Sequence, residues 1–234
     1  MRLADWRKRA FEGSDADYIR FQLFHWKFKP LPYSEWADMV EVAIGEVMSG
    51  IASRKAVLKE GSEDSLTATL CIGLEGYGFQ ARSANWNGNC DLTVTYGDSC
   101  VWLGEAKIFT GAAHVWGGYL QLVSRYADGL PEHSRVGMLL YCKKENALAL
   151  LGEWQAYLDV MVANAQCAAT THPLVFTSAD VAAATGLPLS VTHYAFPLFH
   201  EPLEDVVKGT AEAFAAGQAA KKAIKEGAAS PPES

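Results

Sequence analysis

The chain lacks several features that would each have fixed its class. No stretch approaches the roughly 18 to 20 uninterrupted apolar residues of a membrane helix. The first residues, with Asp5, Glu12 and aromatic side chains interleaved with charge, lack the apolar core of a signal peptide. A cytoplasmic protein with no membrane partner is expected. The five cysteines (Cys71, Cys90, Cys100, Cys142, Cys167) are odd in number and have no CxxC spacing, which argues against a zinc ribbon and a disulfide framework. Reduced thiols are expected, with Cys90 and Cys100 opposed across a hairpin. Positive charge is short: 20 lysines and arginines against 27 acids give a net charge of −7, a poor balance for gripping phosphates. No internal repeat is visible.

What is present is core-forming. Half of the 234 residues are hydrophobic and seven are tryptophan, enough for one domain with elaborations. An amphipathic helix runs through Trp36, Met39, Val40, Ala43, Ile44 and Val47, suited either to a sheet face or to a subunit interface. Ser62 opens a helical pattern (Leu66, Leu70, Ile72, Leu74) that ends at Gly76-Tyr77-Gly78, and an extended Phe79 to Arg82 segment follows.

The segment from Asn89 to Lys107 is the most informative. Asp91 lies in an alternating run, the Tyr96-Gly97-Asp98-Ser99 turn reverses the chain, and the returning strand ends at Glu105-Ala106-Lys107. Strand side chains alternate faces, so Glu105 and Lys107 point the same way and meet the Asp91 end of the partner strand. Two carboxylates offer hard oxygen ligands for Mg2+. A lysine beside them can orient a water or steady a phosphate.

Asp91 with Glu105-Ala106-Lys107, fourteen positions on, resembles the PD-(D/E)xK nuclease superfamily. The proline that precedes the first aspartate in that family is replaced by Cys90. The resemblance spans about residues 60 to 142 and implies a restriction endonuclease-like core. It also implies a further metal-site glutamate on the helix before the sheet, a role it assigns to Glu63, with Glu60 and Asp64 as substitutes. Ser62 and these acids serve equally as a helix cap. A helix from His114 to Asp128 and a buried strand from Val136 to Tyr141 follow. On that helix Gln121 and Tyr126 resemble a Q-x-x-x-Y element, displaced by one residue because Arg125 holds the expected tyrosine position. Tyr126 also fits plain packing with Tyr119 and Val123.

The expected fold is α/β: a central mixed β-sheet flanked by helices, with helical and strand elaborations. The expected organisation is a domain over 1–208, comprising a core at 60–142 and elaborations at 1–59 and 143–208, followed by an alanine-rich tail over 209–234 that is helical and then disordered. Residues 146–164 read as a helix, and Pro173 to Thr177 and Leu189 to Pro197 as strands. His193 and His200 have no partner at ligand spacing. Residues 60–107 hold two basic and seven acidic side chains, and acidic density without a metal is the signature of a cation site. Arg82 and Arg125 are the substrate-binding candidates nearest the motif, with Arg7, Lys8, Arg9, Lys27, Lys29, Arg54, Lys55, Lys59, Lys143 and Lys144 as further basic groups.

The resemblance implies a Mg2+-dependent endonuclease that hydrolyses DNA, with Mn2+ able to replace Mg2+. Its catalytic residues are Asp91, Glu105, Lys107 and Gln121, and its metal ligands Asp91, Glu105 and Glu63; Arg82, Arg125 and Tyr126 contact substrate. By analogy it is the effector of a bacterial or phage-defence system. A non-catalytic nucleic-acid-binding or scaffold subunit that keeps the nuclease fold, or an RNase, is the alternative. The charge deficit implies a homo-oligomer or an associated partner protein.

Overall fold

The computed structural model of the protein describes residues 15–26, 32–85, 89–97, 99–163 and 165–202, together with helical residues 210–212, 214–216 and 218–219. Arg7, Lys8, Arg9, Lys27 and Lys29 lie outside the described residues, as does most of the tail. Two compact units are resolved, Met1–Phe199 and His200–Ser234. The second contains the helical residues from 210 onward.

The larger unit is built on one mixed sheet of seven strands in the order β1-β2-β3-β4-β7-β6-β5. The strands are β1 (Gln80–Asn85), β2 (Asn89–Tyr96), β3 (Cys100–Ile108), β4 (Arg135–Cys142), β5 (Ala168–Ala169), β6 (Val175–Val181) and β7 (Pro188–Pro197). The pairs β3·β4 and β4·β7 are parallel and the others antiparallel. Helices α1 (Asp15–Trp26), α2 (Tyr33–Ala52), α3 (Lys55–Leu58) and α4 (Glu63–Tyr77) precede the sheet. Helix α5 (Ala112–Gln121), extended by a π-helical turn (Leu122–Tyr126), connects β3 to β4, and α6 (Ala147–Met161) follows β4.

Strand alternation divides the apolar residues between two cores. On β3, Trp102 and Ala106 join α1, α2 and α4 on one face. Val101 and Leu103 join α5 and α6 on the other. Strand β4 is buried on both faces, as its continuous apolar run requires. Trp102 needs an unusual slot. Its six-membered ring lies over Gly104 and Gly137, which face each other in the β3·β4 register. A Cβ on Gly137 would stand 2.5 Å from Trp102 Cη2.

The amphipathic α2 buries Trp36, Met39, Val40, Ala43, Ile44 and Met48 against the rest of the fold, packing on the sheet rather than waiting for a second subunit. Its polar edge is fixed by Arg135, whose guanidinium binds Glu41 and Asp38 while Trp102 Nε1 donates to Glu41. The opposition of Cys90 and Cys100 is corrected by the register. Cys100 pairs with Tyr96 at the turn end of the hairpin, whereas Cys90 lies at the far end with its thiol on the Gly104 carbonyl. All five thiols are free. No helix among the described residues is long and apolar enough to cross a membrane.

Candidate functional site

The site forms where β2 stops pairing with β3. Their ladder runs from Tyr96↔Cys100 to Leu92↔Gly104, while β3 continues beside β4 as far as Ile108↔Tyr141. Past Gly104 the outward amides of β3 therefore need other acceptors. Asp91 Oδ2 accepts the Ala106 amide at 2.8 Å, and Glu63 Oε2 accepts the Ile108 amide at 2.8 Å. Two acids thus continue the edge that β2 abandons.

Glu63 reaches this edge because α4 begins there. Ser62 is the N-cap, its hydroxyl accepting the Ser65 amide, so Glu63 occupies the first helical position beside the positive end of the helix dipole. The helix ends at Gly78, whose φ of 100° is the left-handed conformation that glycine adopts freely. The glutamate and the cap are one arrangement, not competing readings.

Glu105 and Lys107 project from β3 toward α5. Lys107 Nζ donates to Glu105 Oε1 at 2.7 Å, to the Ala106 carbonyl at 2.7 Å and to Glu63 Oε1 at 3.4 Å, and lies 3.6 Å from Asp91 Oδ2. Three carboxylates surround one ammonium. Their depth differs: the Glu105 side chain is 2% exposed, against 26% for Asp91 and 30% for Glu63. Glu105 forms the floor and the other two form the rim.

The electrostatics follow from that depth. Burial raises Glu105, and the neighbouring Asp91 charge adds to the rise that Lys107 opposes, so its carboxyl is pushed up to about 7. Burial also raises Asp91, opposed by the Ala106 amide and Lys107. Burial alone would lower Lys107, but its hydrogen bond to Glu105 and the charges of Glu105, Asp91 and Glu63 outweigh this and raise it. One positive charge is too few for three acids.

A divalent cation fits this donor set on one observation: Glu105 Oε2 is buried and no N–H or hydroxyl reaches it, and besides Lys107 the carboxyl's close side-chain neighbour is a second acid, Asp91. A buried, unpaired carboxylate oxygen is costly unless something cationic reaches it. Among the described residues no three His, Cys, Asp or Glu side chains stand already gathered as a ligand set. Here the Lys107 ammonium stands among them.

The helix expected from His114 to Asp128 is α5 plus its π-helical turn. In a π-helical turn the hydrogen bond spans five residues instead of four, as in Ala127 N to Leu122 O at 3.0 Å. Tyr126 is the last residue of the turn. Its ring is buried in the α5–α6 core. Its hydroxyl is raised by burial and by the charges of Glu105 and, further down, Asp91. Packing is its evident task, and it borders the site. Gln121 is half-buried at the end of α5.

Arg82 and Arg125 do not join the ion cluster. Both are exposed, Arg82 on β1 opposite Thr93 and Arg125 on the π-helical turn. Lys143 and Lys144 follow directly after β4. Their ammoniums donate to Gly61 O and Thr110 O, on the loops before α4 and after β3. His114 is exposed. His193 is a core residue, accepting from Trp154 Nε1 at its Nδ1 and bonded to Ser178 through Nε2. The acceptor role of Asp91 and Glu63 toward β3 has no sequence signal beyond the residues themselves.

Compared with family models, curated proteins and solved structures, the chain matches none.

Proposed function

We propose that this protein is a metal-dependent nuclease that hydrolyses phosphodiester bonds in DNA, with the cluster of Glu63, Asp91, Glu105 and Lys107 as its reaction site. The observation that carries the reading is the buried Glu105 Oε2, which no N–H or hydroxyl reaches, beneath two further carboxylates and one ammonium. Structural ion pairs do not need three acids per cation. The run helix, three antiparallel strands, helix, parallel strand also agrees with a restriction endonuclease-like core, which remains part of the proposal.

Asp91, Glu105 and Glu63 would hold Mg2+ or Mn2+, which favour oxygen ligands in a tight octahedron. When bound, the ion lowers the pKa of a coordinated water and stabilises charge on the phosphoryl group. Lys107 supplies a fixed positive charge for the reacting phosphate. Glu105, raised to about 7, holds or releases a proton near neutrality. Gln121 would orient water or phosphate, and Lys143 and Lys144, bonded to the loops before α4 and after β3, would add positive charge.

The test is incubation of purified protein with plasmid DNA, with Mg2+ and with EDTA, beside the Glu105→Gln variant. Cleavage that needs Mg2+ and is lost in Glu105→Gln supports the reading. Cleavage untouched by EDTA or by the substitution sinks it. DNA binding without cleavage would favour a non-catalytic subunit, and cleavage confined to RNA an RNase.

A further inference from the structure

The interior of α5 holds two consecutive glycines, Gly117 and Gly118, each weakening the helix relative to alanine. Their surroundings differ completely. Gly117 is exposed and a Cβ built on it meets nothing within 4 Å. Gly118 is buried. A Cβ there would stand 2.8 Å from Lys107 Cε, 3.0 Å from Lys107 Cγ and 3.2 Å from Glu105 Cγ. The first separation is closer than carbon atoms pack.

The Lys107 stem therefore runs directly under the bare backbone of the helix. At its tip the ammonium is held by Glu105 Oε1 and the Ala106 carbonyl, both at 2.7 Å, and more loosely by Glu63. A flexible four-carbon stem has many rotamers. Contact with a helix on one side and acids at the end removes most of them. A methyl group at 118 would have to displace the stem, and the ammonium would move with it.

We infer that Gly118 is a positioning residue: the missing side chain on α5 seats the Lys107 ammonium among Asp91, Glu105 and Glu63. It touches neither substrate nor metal and acts first through the lysine, whose stem it meets more closely than that of Glu105. The activity arm of its test rests on the reading of this cluster as a nuclease site; the structural arm does not.

Three variants decide it: Gly118→Ala, Gly117→Ala as the control one residue away, and Gly118→Ala combined with Lys107→Ala. The direct readout is the acylation rate of Lys107, followed by peptide mass spectrometry under native conditions. Gly118→Ala is expected to raise that rate several-fold as the amine leaves its acid cage, and Gly117→Ala to leave it unchanged. In thermal denaturation Gly117→Ala should raise Tm, because alanine favours helix. Gly118→Ala should lower it in the wild-type background and lower it less, or raise it, when Lys107 is alanine. In cleavage assays Gly118→Ala should lose about 100-fold in kcat with little change in KM, the cost of an ångström-scale misplacement.

A folded Gly118→Ala protein with wild-type Lys107 acylation overturns the inference, even if Tm falls, since the glycine would then be packing alone. Raised acylation with undiminished kcat in an active enzyme overturns it as well. If Gly118→Ala fails to fold, the double variant settles the matter: a folded double variant supports the contact with Lys107, and an unfolded one refutes it. Raised acylation in a protein whose wild type cuts nothing leaves the seating intact and sinks the nuclease reading instead.

Discussion

Asp91 accepts the backbone amide of Ala106 at 2.8 Å, so one oxygen of a candidate metal ligand also closes the edge of the central sheet. Asp91→Ala would leave that amide without its acceptor, at a cost of about 1 to 3 kcal/mol for a buried donor. Asp91→Asn keeps an oxygen for the amide and removes the charge. The expected outcome is loss of cleavage in both, with a clearly lower denaturation midpoint only in Asp91→Ala. Equal stability of the two variants would show that the hydrogen bond contributes little. Full activity in Asp91→Asn would remove Asp91 from the site.

Lys107 separates chemistry from cation binding. It is the only cation hydrogen-bonded within the cluster among the described residues, and its Nζ lies 2.7 to 3.6 Å from three carboxylates. Its removal makes the pocket more negative. Lys107→Ala is expected to lose cleavage by about 100-fold or more, the scale seen when a transition-state electrostatic partner is removed. At alkaline pH it should nevertheless bind Mn2+ at least as tightly as wild type, measured by calorimetry. Much weaker Mn2+ binding in a folded variant would contradict the picture of an ammonium whose charge opposes a divalent ion at the same three acids.

Glu105 gives the pH dependence its sign. Its folded pKa of about 7 lies above the ordinary carboxylate value of 4.5. Between these values the folded state holds a proton that the unfolded state has released. Metal-free protein should therefore be progressively destabilised by this group as pH rises from about 4.5 to 7, a slope absent in Glu105→Gln. Mg2+ competes with the same proton, so metal affinity and cleavage should fall as pH drops below about 7. Thermal shifts of wild type and Glu105→Gln across this range, with and without Mg2+, provide the check. Identical pH profiles for the two proteins would rule out a raised Glu105.

The π-helical turn makes a separable prediction for the residues on α5. Tyr126 is 4% exposed and belongs to the same buried apolar cluster as Cys90, Val123 and Leu122. Tyr126→Phe should stay within about threefold of wild-type cleavage, while Tyr126→Ala should cost about 3 to 5 kcal/mol as a large aromatic truncation in a core. Gln121→Ala, at a half-buried position, should leave stability nearly unchanged and reduce cleavage strongly. A large catalytic loss in Tyr126→Phe would give its hydroxyl a direct role. A silent Gln121→Ala would remove that residue from the reaction.

Legibility tracked how local the determining physics was. The strand period around Asp91, the Ser62 cap and the Gly78 stop depend on neighbours in sequence, and each is where the pattern put it. Glu63 was legible as a residue on the right helix, but its bond to the Ile108 amide depends on where β2 ends, which no local pattern encodes. The π-helical turn was hidden for a related reason: α- and π-turns share composition, and no local pattern marks where one replaces the other. Gly118 left a trace in the Gly-Gly pair within a helical pattern. Opposing Cys90 to Cys100 failed because register, not alternation, decides which residues face across a hairpin.

Charge sets the final expectation. The net charge is −7, and Arg135, a strong cation by residue type, is committed to Glu41 and Asp38 inside the fold. Lys143 and Lys144 are tied to Gly61 and Thr110 beside the site. The excess of acids over basic residues leaves a field unfavourable to a duplex, and phosphate contacts dominate such affinity. An isolated protomer is expected to bind duplex DNA weakly and to lose that binding steeply between about 50 and 200 mM salt. Efficient cutting then needs the site to be concentrated on its substrate. A homo-oligomer achieves this by presenting two sites and twice the basic contacts with the two-fold symmetry of a duplex, and a partner that delivers DNA achieves it otherwise. Sedimentation combined with cleavage at physiological salt distinguishes the outcomes. An assembly, or strong stimulation by an added partner, is expected. A stable monomer that cuts duplex DNA efficiently on its own would mean that Lys143, Lys144, Arg82 and Arg125 form a stronger groove than their number implies.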